Sequence, residues 1–472
     1  MAVKRVAIIG GGISGLSAAY YLEPYALAGD LEVHLFERQE RLGGVIETDT
    51  SQGVVLEGGP ESLVRRKPEA ADLCRALGLG AHLIGTNPKA RGAYIFHRDR
   101  LHPIPAGVAA GVPTDLQALW RSGLLSWTGK ARATMDLVLP RSREPSDRGL
   151  GQLLAQRFGR ELVNVLAEPL LSGIYAGRAD DLSTAATFPQ LLEYQAKSRS
   201  LILAYRQARA STPTSSSPAP SMFLTLDQGM ATMVDALLAS LKTSLIHLGL
   251  AVTQVKREDP RWRLDFAKGQ SLLADVVIAA TPAYVTADLI GSFSLSATRL
   301  LQGIDYANLA VVVAVYDPKA VPMVLDGTGF LVPRGEGLQM TACTWTQTKW
   351  ATPSPRGVPM RMFFGRAGGE DVTQFSDDRF HALVLQEAQA TMGIQRPPDY
   401  FRVFRWPRAM PQYGVGHAER IWQIRQALSR DLPGLFVAGS ALQGVGVSDC
   451  IRQARQATDA ALEHLGVHLE ES

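Results

Sequence analysis

Three glycines near the start of the chain have the spacing of a phosphate-binding turn. In the run VAIIGGGISGLSAAY, Gly10, Gly12 and Gly15 form the pattern G-x-G-x-x-G between a strand-like stretch and a stretch with helical spacing. The first glycine permits a tight turn, the second lets the backbone approach a pyrophosphate, and the third lets strand and helix pack closely. The helix that follows presents free N–H groups and a partial positive charge. The pattern therefore predicts a turn that holds phosphate groups.

Glu37 and a second pair of glycines extend this predicted site. Glu37 ends the next strand-like segment, LEVHLF, where a carboxylate is placed to accept hydrogen bonds from a ribose diol. Directly after it, RQERLGG carries Gly43 and Gly44 behind an arginine, which is more than a minimal dinucleotide motif requires. We therefore expect a dinucleotide, with the chain returning to the same pyrophosphate.

The C-terminal segment VAGSALQGVGVSDCIRQARQA predicts a second site for the same ligand. Gly439 follows a strand-like run, Gly444 and Gly446 permit close approach of a ligand, and Ser448 with Asp449 can cap a helix. A helix N-terminus aimed at the N1/O2 edge of a flavin stabilises its reduced, anionic form. Two such turns at opposite ends of the chain favour an extended flavin dinucleotide, so we predict FAD rather than NAD.

Composition argues against several other classes of protein. A chain of 472 residues is expected to form two or three domains, and 46% hydrophobic with 20% charged residues is typical of a folded protein. The net charge of +3 comes without a dense basic tract, which argues against nucleic-acid binding. Cys74, Cys343 and Cys450 are far apart in sequence, so we predict no metal centre and favour a reducing cytoplasm. No apolar run is long enough to predict a membrane span, whereas attachment to a membrane surface stays open.

The elements that would position these turns follow from the patterning. The first 36 residues predict a βαβ unit whose opening is a buried strand rather than a signal peptide. Residues 113–209 are mostly helical in pattern, and residues 211–221, STPTSSSPAPS, predict an exposed linker or loop. Strand-like segments such as LAVVVAVY follow, and residues 434–440 open a final strand–turn–helix. This order predicts a mixed α/β chain.

Longer segments carry a resemblance to a known family. The chain resembles the FAD-dependent porphyrinogen oxidases of the haem pathway, within the monoamine-oxidase-like flavoproteins, over essentially its whole length. LLSGIYAG and MPQYGVGH are the most specific segments, whereas the glycine motifs are shared by many flavoproteins. The segments that carry the resemblance are GGGISGLSAAYYLE, RLGGVIET, LEGGPESLVRRKPE, EPLLSGIYAGRADDLSTAATFPQL, SRSLILA, TACTWTQTKW, RWPRAMPQYGVGHAERI and ALQGVGVSDCIRQA.

The resemblance implies a particular architecture. It implies a discontinuous Rossmann-like FAD domain of the p-hydroxybenzoate-hydroxylase and monoamine-oxidase type, a sheet-based substrate domain, and a helical lobe that docks on a membrane in some relatives. The implied boundaries are residues 1–64, 222–286 and 403–472 for the FAD domain, 65–90 and 287–402 for the substrate domain, 91–210 for the mainly helical lobe, and 211–221 for the linker or loop.

The resemblance also implies contacts, residue by residue. Val252 would act through its backbone on the adenine. The implied cofactor-binding residues are Gly10, Gly11, Gly12, Ile13, Ser14, Gly15, Glu37, Arg38, Arg41, Gly43, Gly44, Gly59, Pro60, Glu61, Ser62, Val252, Trp406, Val445, Gly446 and Val447. The implied substrate contacts are Lys67, Tyr94, Gly173, Ile174 and Phe330.

The implied reaction is an oxygen-dependent, six-electron aromatisation of a porphyrinogen. Hydrides pass from the macrocycle to the flavin, tautomerisation renews the reacting hydrogens, and molecular oxygen reoxidises the flavin to give hydrogen peroxide. The cofactor carries the difficult chemistry, which agrees with a sequence that offers no Ser-His-Asp set, metal cluster or carboxylate pair. No catalytic side chain is assigned, and Glu61 is the candidate. The implied partners are the porphyrinogen and oxygen, while contact with a membrane surface or another enzyme of the pathway stays open.

The choice of porphyrinogen depends on the charges. Coproporphyrinogen III carries four propionates and protoporphyrinogen IX two, so the former needs more cationic anchors. Many relatives that act on protoporphyrinogen have an arginine where this chain has Ala93, before Tyr94, although Arg91 lies nearby. Lys67 matches a basic position of the soluble Gram-positive-type enzymes, which oxidise coproporphyrinogen III. We predict coproporphyrinogen III, with protoporphyrinogen IX as the alternative; a flavin amine oxidase or desaturase and a non-catalytic flavin-binding protein are more distant alternatives.

Two charged candidates also have a purely structural interpretation. Glu61 either polarises a pyrrole N–H or caps a helix. Lys67, which follows Arg65 and Arg66, either binds propionates or belongs to a solvated basic turn. For these residues the sequence leaves both interpretations open.

The same holds for the aromatic candidates and for one histidine. Phe330 is either a wall of the substrate cavity or part of a core, and His417 is expected to make a structural hydrogen bond rather than to catalyse. Trp120 and Trp127, with Leu124 and Leu125 between them, are expected to pack between helices. An exposed stripe for a membrane or a partner enzyme is the alternative.

Overall fold

The structure is a computed structural model that describes residues 3–141, 146–210, 221–267, 269–352 and 354–468. All but the last residue of the predicted linker at 211–221 lies outside the described residues. No helix within these ranges combines the length and the apolar character needed to cross a membrane.

Strands of several sheets run through the whole described chain. They are β1 (Lys4–Ile9), β2 (Leu31–Phe36), β3 (Thr48–Asp49), β4 (Leu56–Glu57), β5 (Leu63–Val64), β6 (Leu83–Gly85), β7 (Ala93–His97), β8 (Arg100–Pro103), β9 (Val108–Ala109), β10 (Val112–Pro113), β11 (Phe223–Leu226), β12 (Leu245–His247), β13 (Val252–Glu258), β14 (Arg261–Phe266), β15 (Ser271–Ala274), β16 (Val276–Ala279), β17 (Tyr306–Tyr316), β18 (Gly329–Leu331), β19 (Met340–Trp345), β20 (Val358–Phe364), β21 (Tyr400–Pro411) and β22 (Leu435–Val437).

Helices separate these strands and cluster in the first half of the chain. They are α1 (Ile13–Leu27), α2 (Glu69–Ala76), α3 (Leu116–Arg121), α4 (Trp127–Thr134), α5 (Leu150–Phe158), α6 (Arg160–Leu162), α7 (Glu168–Tyr175), α8 (Thr184–Thr187), α9 (Pro189–Lys197), α10 (Leu201–Ala210), α11 (Ala231–Ser240), α12 (Ala283–Ile290), α13 (Leu295–Gln302), α14 (Thr346–Trp350), α15 (Asp377–Met392), α16 (His417–Asp431) and α17 (Val447–Leu465).

A five-stranded parallel sheet with the order β12-β2-β1-β16-β22 joins the two ends of the chain. Its strands are apolar on both faces because helices cover one face, and helices together with the strands β13, β14 and β15 cover the other. Val6 and Ile8 of β1 pack in one core with α1, α11 and α17. Ala7 and Ile9 point the other way, into a core with β14, α12, α13 and α16. This helix-covered parallel sheet confirms the predicted α/β, Rossmann-like fold.

A seven-stranded mixed sheet has the order β21-β17-β20-β19-β18-β7-β8. One face packs against α15, where Val312 and Met362 share a core with Phe380. On the other face, Val311 and Val313 share a smaller core with Leu56 of β4 and Phe404. This second face therefore meets the chain segment that leads into the predicted flavin-side turn at residues 59–62.

Helices α3 to α10 form a lobe around one apolar core. Leu124 and Leu125 are fully or almost fully buried in this core, as the packing interpretation expects. Trp127 is 74% exposed and Trp120 is 37% exposed, with their ring centroids 5.7 Å apart. The four residues therefore do not form one stripe, because the two leucines point inward and the two tryptophans point outward.

At two of the implied domain boundaries, the strand pairing places residues in a different sheet or lobe from the one expected. The lobe was expected to begin at residue 91, but β7 and β8 belong to the seven-stranded sheet because Tyr94 pairs with Phe330 in a parallel register. The last FAD segment was expected to begin at residue 403, but all of β21 belongs to the same sheet, where Trp406 pairs with Leu309. The division of the chain into domains stays a prediction.

Candidate functional site

The first glycine turn has the geometry that its spacing predicts. Gly10 follows β1 with φ of +107°, in the left-handed region that favours glycine. A Cβ atom at Gly15 would lie 1.8 Å from the carbonyl oxygen of Gly10, so strand and helix approach each other as closely as backbone allows. Helix α1 begins at Ile13, directly after Gly12, and no side chain caps it. The turn thus presents backbone N–H groups at a helix N-terminus.

The second glycine pair lies against this turn. The Gly43 N–H donates to the Gly11 carbonyl oxygen at 2.9 Å, and a Cβ atom at Gly44 would lie 3.2 Å from Gly12 Cα. Glu37 Oε2 accepts a hydrogen bond from the Gly11 N–H at 2.7 Å. The structure therefore brings together the two glycine turns and the ribose-binding carboxylate that the sequence predicts for one dinucleotide.

Three further predicted contacts surround this turn. Arg41 donates to the carbonyl oxygen of Gly44 at 2.6 Å and pairs with Glu47 at 3.1 Å. Arg38 is exposed, beside Glu37 at the end of β2. Val252 opens β13, and the nearby Leu250 N–H donates to the Glu37 carbonyl oxygen at 3.0 Å. The residues predicted to contact the adenine end of the dinucleotide therefore lie close to the first glycine turn.

The turn at Gly59, Pro60, Glu61 and Ser62 lies between the two sheets. A Cβ atom at Gly59 would lie 1.8 Å from the Val45 carbonyl oxygen, so this turn packs directly on the segment after the second glycine pair. Trp406 Nε1 donates to the carbonyl oxygen of Gly58 at 2.7 Å. Strand β21 of the large sheet is thereby tied to the predicted flavin-side turn.

The C-terminal turn leads into the longest described helix. Gly439, with φ of +140°, follows β22, and α17 begins at Val447 after Val445 and Gly446. Ser448 and Asp449 were expected to cap this helix, but no side chain caps it. Both residues lie in its first turn, where Ser448 Oγ donates to the Lys67 carbonyl oxygen at 3.1 Å.

The two uncapped helices make the region suitable for FAD. Helices α1 and α17 have 15 and 19 residues, both start after glycine, and neither has a side-chain cap, so their first N–H groups are left for an anionic ligand. Helices α1 and α17 pack against each other, and Ile13 and Val447 belong to the same core. The glycine turns would hold the pyrophosphate, and α17 would point towards the flavin ring.

Glu61 lies between two cations instead of capping a helix. Its Oε1 accepts hydrogen bonds from Lys349 Nζ at 2.5 Å and from Trp350 Nε1 at 3.1 Å. Its Oε2 forms an ion pair with Arg361 Nη1. Burial lowers the pKa of Lys349 to about 8 and that of Arg361 to about 10. The candidate carboxylate is therefore held by ionic contacts inside the protein.

The basic and phenolic substrate candidates already have partners in this structure. Lys67 Nζ forms an ion pair with Asp449 Oδ2 at 2.5 Å, although its side chain is 39% exposed. The Tyr94 hydroxyl donates to Asp326 Oδ1 at 2.6 Å, and Arg91 pairs with the same carboxylate at 3.2 Å. The structure does not bring Tyr94 and Lys67 into contact, and their roles towards a substrate stay predictions.

The apolar substrate candidates divide between two faces of the large sheet. Phe330 is 2% exposed and packs in the core against α15, as the structural interpretation expects. Its neighbour Leu331 points the opposite way, as strand alternation requires, and lies 3.5 Å from a Cβ atom built on Gly173. Ile174, the next residue of α7, is 49% exposed. The structure therefore places Leu331, and not Phe330, beside Gly173.

His417 has the structural role that the sequence favours. Its ring is buried, stacks on Tyr413 with centroids 4.0 Å apart, and donates from Nε2 to the Leu442 carbonyl oxygen at 3.0 Å. Burial lowers the pKa of His417 to about 4. A neutral imidazole thus supports the loop that leads to the C-terminal turn.

Sequence reasoning missed three residues of this region: Leu331, Lys349 and Arg361. A charged residue inside the otherwise apolar strand VPMRMFF was a signal for Arg361, since a buried cation needs a partner. The segment TACTWTQTKW contains Lys349 but was used only for the resemblance. Nothing in the spacing of either residue points to Glu61.

Fold and site together define a flavoprotein with a dinucleotide-binding parallel sheet. The family model of flavin-containing amine oxidoreductases matches residues 13–462. The chain belongs to this family, which confirms the predicted family, and FAD is its cofactor.

The chain is similar to several porphyrinogen oxidases. It is 38% identical to the coproporphyrinogen III oxidase of Bacillus subtilis over 98% of both chains. It is 32% identical to that of Staphylococcus aureus over 98% of this chain and 100% of the relative. A solved structure from Exiguobacterium sp. 255-15, assigned as a protoporphyrinogen oxidase, superimposes with a TM-score of 0.88 at 35% identity over 99% of this chain and 100% of the other.

Proposed function

We propose that this enzyme oxidises coproporphyrinogen III to coproporphyrin III in an oxygen-dependent, six-electron reaction that yields hydrogen peroxide. The single observation that carries the proposal is the full-length identity to coproporphyrinogen III oxidases, at 38% for the Bacillus subtilis protein. The meeting of both chain ends in one parallel sheet and one core supports it, because an extended flavin dinucleotide would contact both ends.

In this proposal the protein binds and shields while the cofactor reacts. Bound FAD supplies hydride acceptance and reoxidation by oxygen. The glycine turns would bind its pyrophosphate, and Glu37 would bind the ribose. The N-terminus of α17 would favour negative charge at the N1/O2 edge of the ring. Glu61, at the junction of the two sheets, would face the reacting macrocycle.

An anaerobic reduction experiment tests this function directly. The purified, FAD-loaded protein is mixed with coproporphyrinogen III without oxygen, and the flavin absorbance is followed. We expect bleaching, followed by recovery of the yellow colour, peroxide and porphyrin fluorescence when air is admitted. A flavin that stays oxidised beside the porphyrinogen would contradict the proposal and would support a non-catalytic flavin-binding role.

Protoporphyrinogen IX is the alternative substrate, favoured by the assignment of the Exiguobacterium protein. Lys67 lies at the protein surface beside α17, where its cation is available to a propionate if it leaves Asp449. Lys67→Ala should therefore lower kcat/KM for the four-propionate substrate more than for the two-propionate one. Arg65→Ala is the control, since this arginine donates to the Ser221 carbonyl oxygen instead. Equal losses for both substrates in Lys67→Ala would remove the reason for preferring coproporphyrinogen III.

An amine substrate is the more distant alternative, suggested by the family's description. Incubation of the same preparation with primary amines should leave the flavin oxidised. Bleaching by amines but not by porphyrinogens would replace the proposed function. A cytoplasmic location also stays part of the proposal, because all three cysteines are buried and unpaired, as a reducing compartment allows.

A further inference from the structure

The carboxylate of Glu61 is shared by two cations, one from a helix that follows strand β19 and one from strand β20 of the large sheet. Lys349 lies on α14 and reaches Oε1, while Arg361 lies on β20 and reaches Oε2. Arg361 also donates to the carbonyl oxygens of Glu57 and Gly59 at 2.6 Å, so it fixes the backbone that carries Glu61. The position of this carboxylate is therefore set by the sheet and not only by its own turn.

A second carboxylate, that of Glu57, lies close to the cluster of Glu61, Lys349 and Arg361. Besides the two cations, the carboxylate of Glu57 lies near Arg361, and burial raises the pKa of Glu57. Glu57 already accepts hydrogen bonds from the Met230 N–H at 2.6 Å and from Thr48 Oγ1 at 2.9 Å. Lys349 and Arg361 both contact the Glu61 carboxylate directly, and of these two cations it is Arg361 that also lies near Glu57. A cation in contact with a carboxylate favours its ionised form.

We propose that Lys349 is a positioning residue that keeps Glu61 ionised and oriented to accept the proton of a pyrrole N–H. This inference rests on the proposed function. Each oxidation step removes a hydride from a carbon of the macrocycle and a proton from a pyrrole nitrogen. Bound FAD would supply the hydride acceptor, while Glu61 takes the proton and the electron pair of the N–H bond stays in the ring. Glu61 then returns the proton to solvent.

Lys349 suits this role because its ammonium group lies inside the protein but is still partly accessible to water. Its side chain is 16% exposed, whereas that of Glu61 is 3% exposed. Its ammonium group also lies 4.8 Å from the centroid of the Trp350 ring, and Trp350 itself donates to Glu61. Since the pKa of Lys349 is about 8, its side chain stays cationic throughout the acid pH range.

The pH profile of kcat/KM for the porphyrinogen tests the role of this cation. Lys349→Met removes the charge at similar length, and Lys349→Arg keeps it. Loss of an opposite charge in contact makes a carboxylate easier to protonate, so the acid limb of Lys349→Met should move up by about one pH unit. Lys349→Arg should retain the wild-type limb. A role in structure alone would lower the rate at all pH values without moving the limb.

Control variants distinguish the effect of removing the Lys349 charge from the effect of removing a lysine elsewhere on the protein. Lys319→Met removes an exposed lysine from a surface turn and should leave the profile unchanged. Glu61→Gln should lower kcat and abolish the acid limb. An infrared titration of the FAD-loaded protein without substrate supplies a second readout. The band of protonated Glu61 is identified as the carboxyl band that Glu61→Gln lacks. As the pH is lowered, this band should appear at a higher pH in Lys349→Met than in the wild-type protein.

Coincident acid limbs in wild type, Lys349→Met and Lys349→Arg would overturn the inference, as would an unshifted infrared titration. Should Lys349→Met fail to retain FAD, Lys349→Gln takes its place in both measurements. If the wild-type enzyme does not oxidise the porphyrinogen at all, the proposed function fails. In that case the infrared titration still decides whether Lys349 controls the proton affinity of Glu61.

Discussion

At the scale of single residues, the cofactor site depends on positions where only a hydrogen atom fits. Gly15 is the tightest of them in the first turn, because a Cβ atom there would overlap the carbonyl oxygen of Gly10. Any larger residue must push α1 away from β1 or distort the turn that would receive the pyrophosphate. This requirement is steric and involves neighbouring residues, so the G-x-G-x-x-G spacing alone predicts it.

Gly15→Ala should therefore lose FAD and stability together. Overpacking of this kind costs about 1–3 kcal/mol, and the displaced helix no longer presents its N–H groups correctly. FAD content after purification and urea unfolding measure the two effects. Gly335→Ala is the matched control, since a Cβ atom at Gly335 would meet nothing within 4 Å. Full FAD retention in Gly15→Ala would show that the turn is not where the cofactor binds.

His417 should make the protein sensitive to acid. Its pKa is about 4 in the folded protein because of burial, against about 6.5 in an unfolded chain, so between these values the unfolded chain binds more protons. Stability should fall as the pH drops through this window, by about 3 kcal/mol from this residue. Urea unfolding at several pH values should show a weaker dependence in His417→Gln. The exposed His381 supplies the control, as His381→Gln should keep the wild-type dependence.

At the scale of elements, one buried ion pair holds the helical lobe together. Arg157 on α5 donates from Nε to Asp136 Oδ1 at 2.6 Å, and Asp136 Oδ2 accepts from Ser200 Oγ at 2.7 Å and from the Ile202 N–H at 3.0 Å. Arg157 also donates to the Pro140 carbonyl oxygen at 2.9 Å. Three stretches of chain that have no strand pairing between them therefore meet at this pair.

Arg157→Met should destabilise the lobe by about 3–5 kcal/mol, because it leaves a buried carboxylate without its cation. Arg160→Met breaks a comparable ion pair with Asp180 that is 51% and 38% exposed, and should cost about 0–1 kcal/mol. Chemical unfolding followed by tryptophan fluorescence compares the two. Similar losses in both variants would mean that burial does not decide the strength of this contact.

At the scale of the whole molecule, the cofactor site joins segments from the two ends of the chain. Strands β1 and β2 come from the first 36 residues and β22 from residues 435–437, and β16 lies between them in the sheet. A ligand that contacts both ends can bind only when the whole sheet is formed. FAD should therefore stabilise the molecule as a unit and not one part of it.

Added FAD should raise the melting temperature of the FAD-depleted protein in one transition. A ligand at one hundred times its Kd adds about 2.7 kcal/mol when it binds only the folded state. Riboflavin, which lacks the phosphates and the adenine, should give a much smaller shift because it cannot use the glycine turns. Differential scanning calorimetry at several ligand concentrations measures both shifts. An equal effect of riboflavin would argue against pyrophosphate binding as the main contact.

The sequence by itself determined the features that depend on neighbouring residues. The G-x-G-x-x-G turn, the carboxylate at the end of β2 and the helix after the last glycines are local in the chain, so their spacing predicts them. The expected cap by Ser448 and Asp449 was wrong, because both residues lie inside the first turn of α17. The two glycine-rich turns favoured FAD, and the family resemblance, carried by long segments, added the porphyrinogen and the reaction. The buried state of Leu124 and Leu125 also followed from patterning, whereas the outward direction of Trp127 did not.

The tertiary structure alone decided which distant residues meet. Lys349 of helix α14 contacts Glu61 across 288 residues of sequence, and Arg361 of strand β20 reaches the same carboxylate. Strand register decides that Leu331 rather than Phe330 lies beside Gly173, since successive side chains point to opposite faces of a sheet. Pairing of β7 with β18 likewise draws residues expected in the lobe into the sheet. No local pattern encodes such contacts, because the register and order of the strands create them only when the chain has folded.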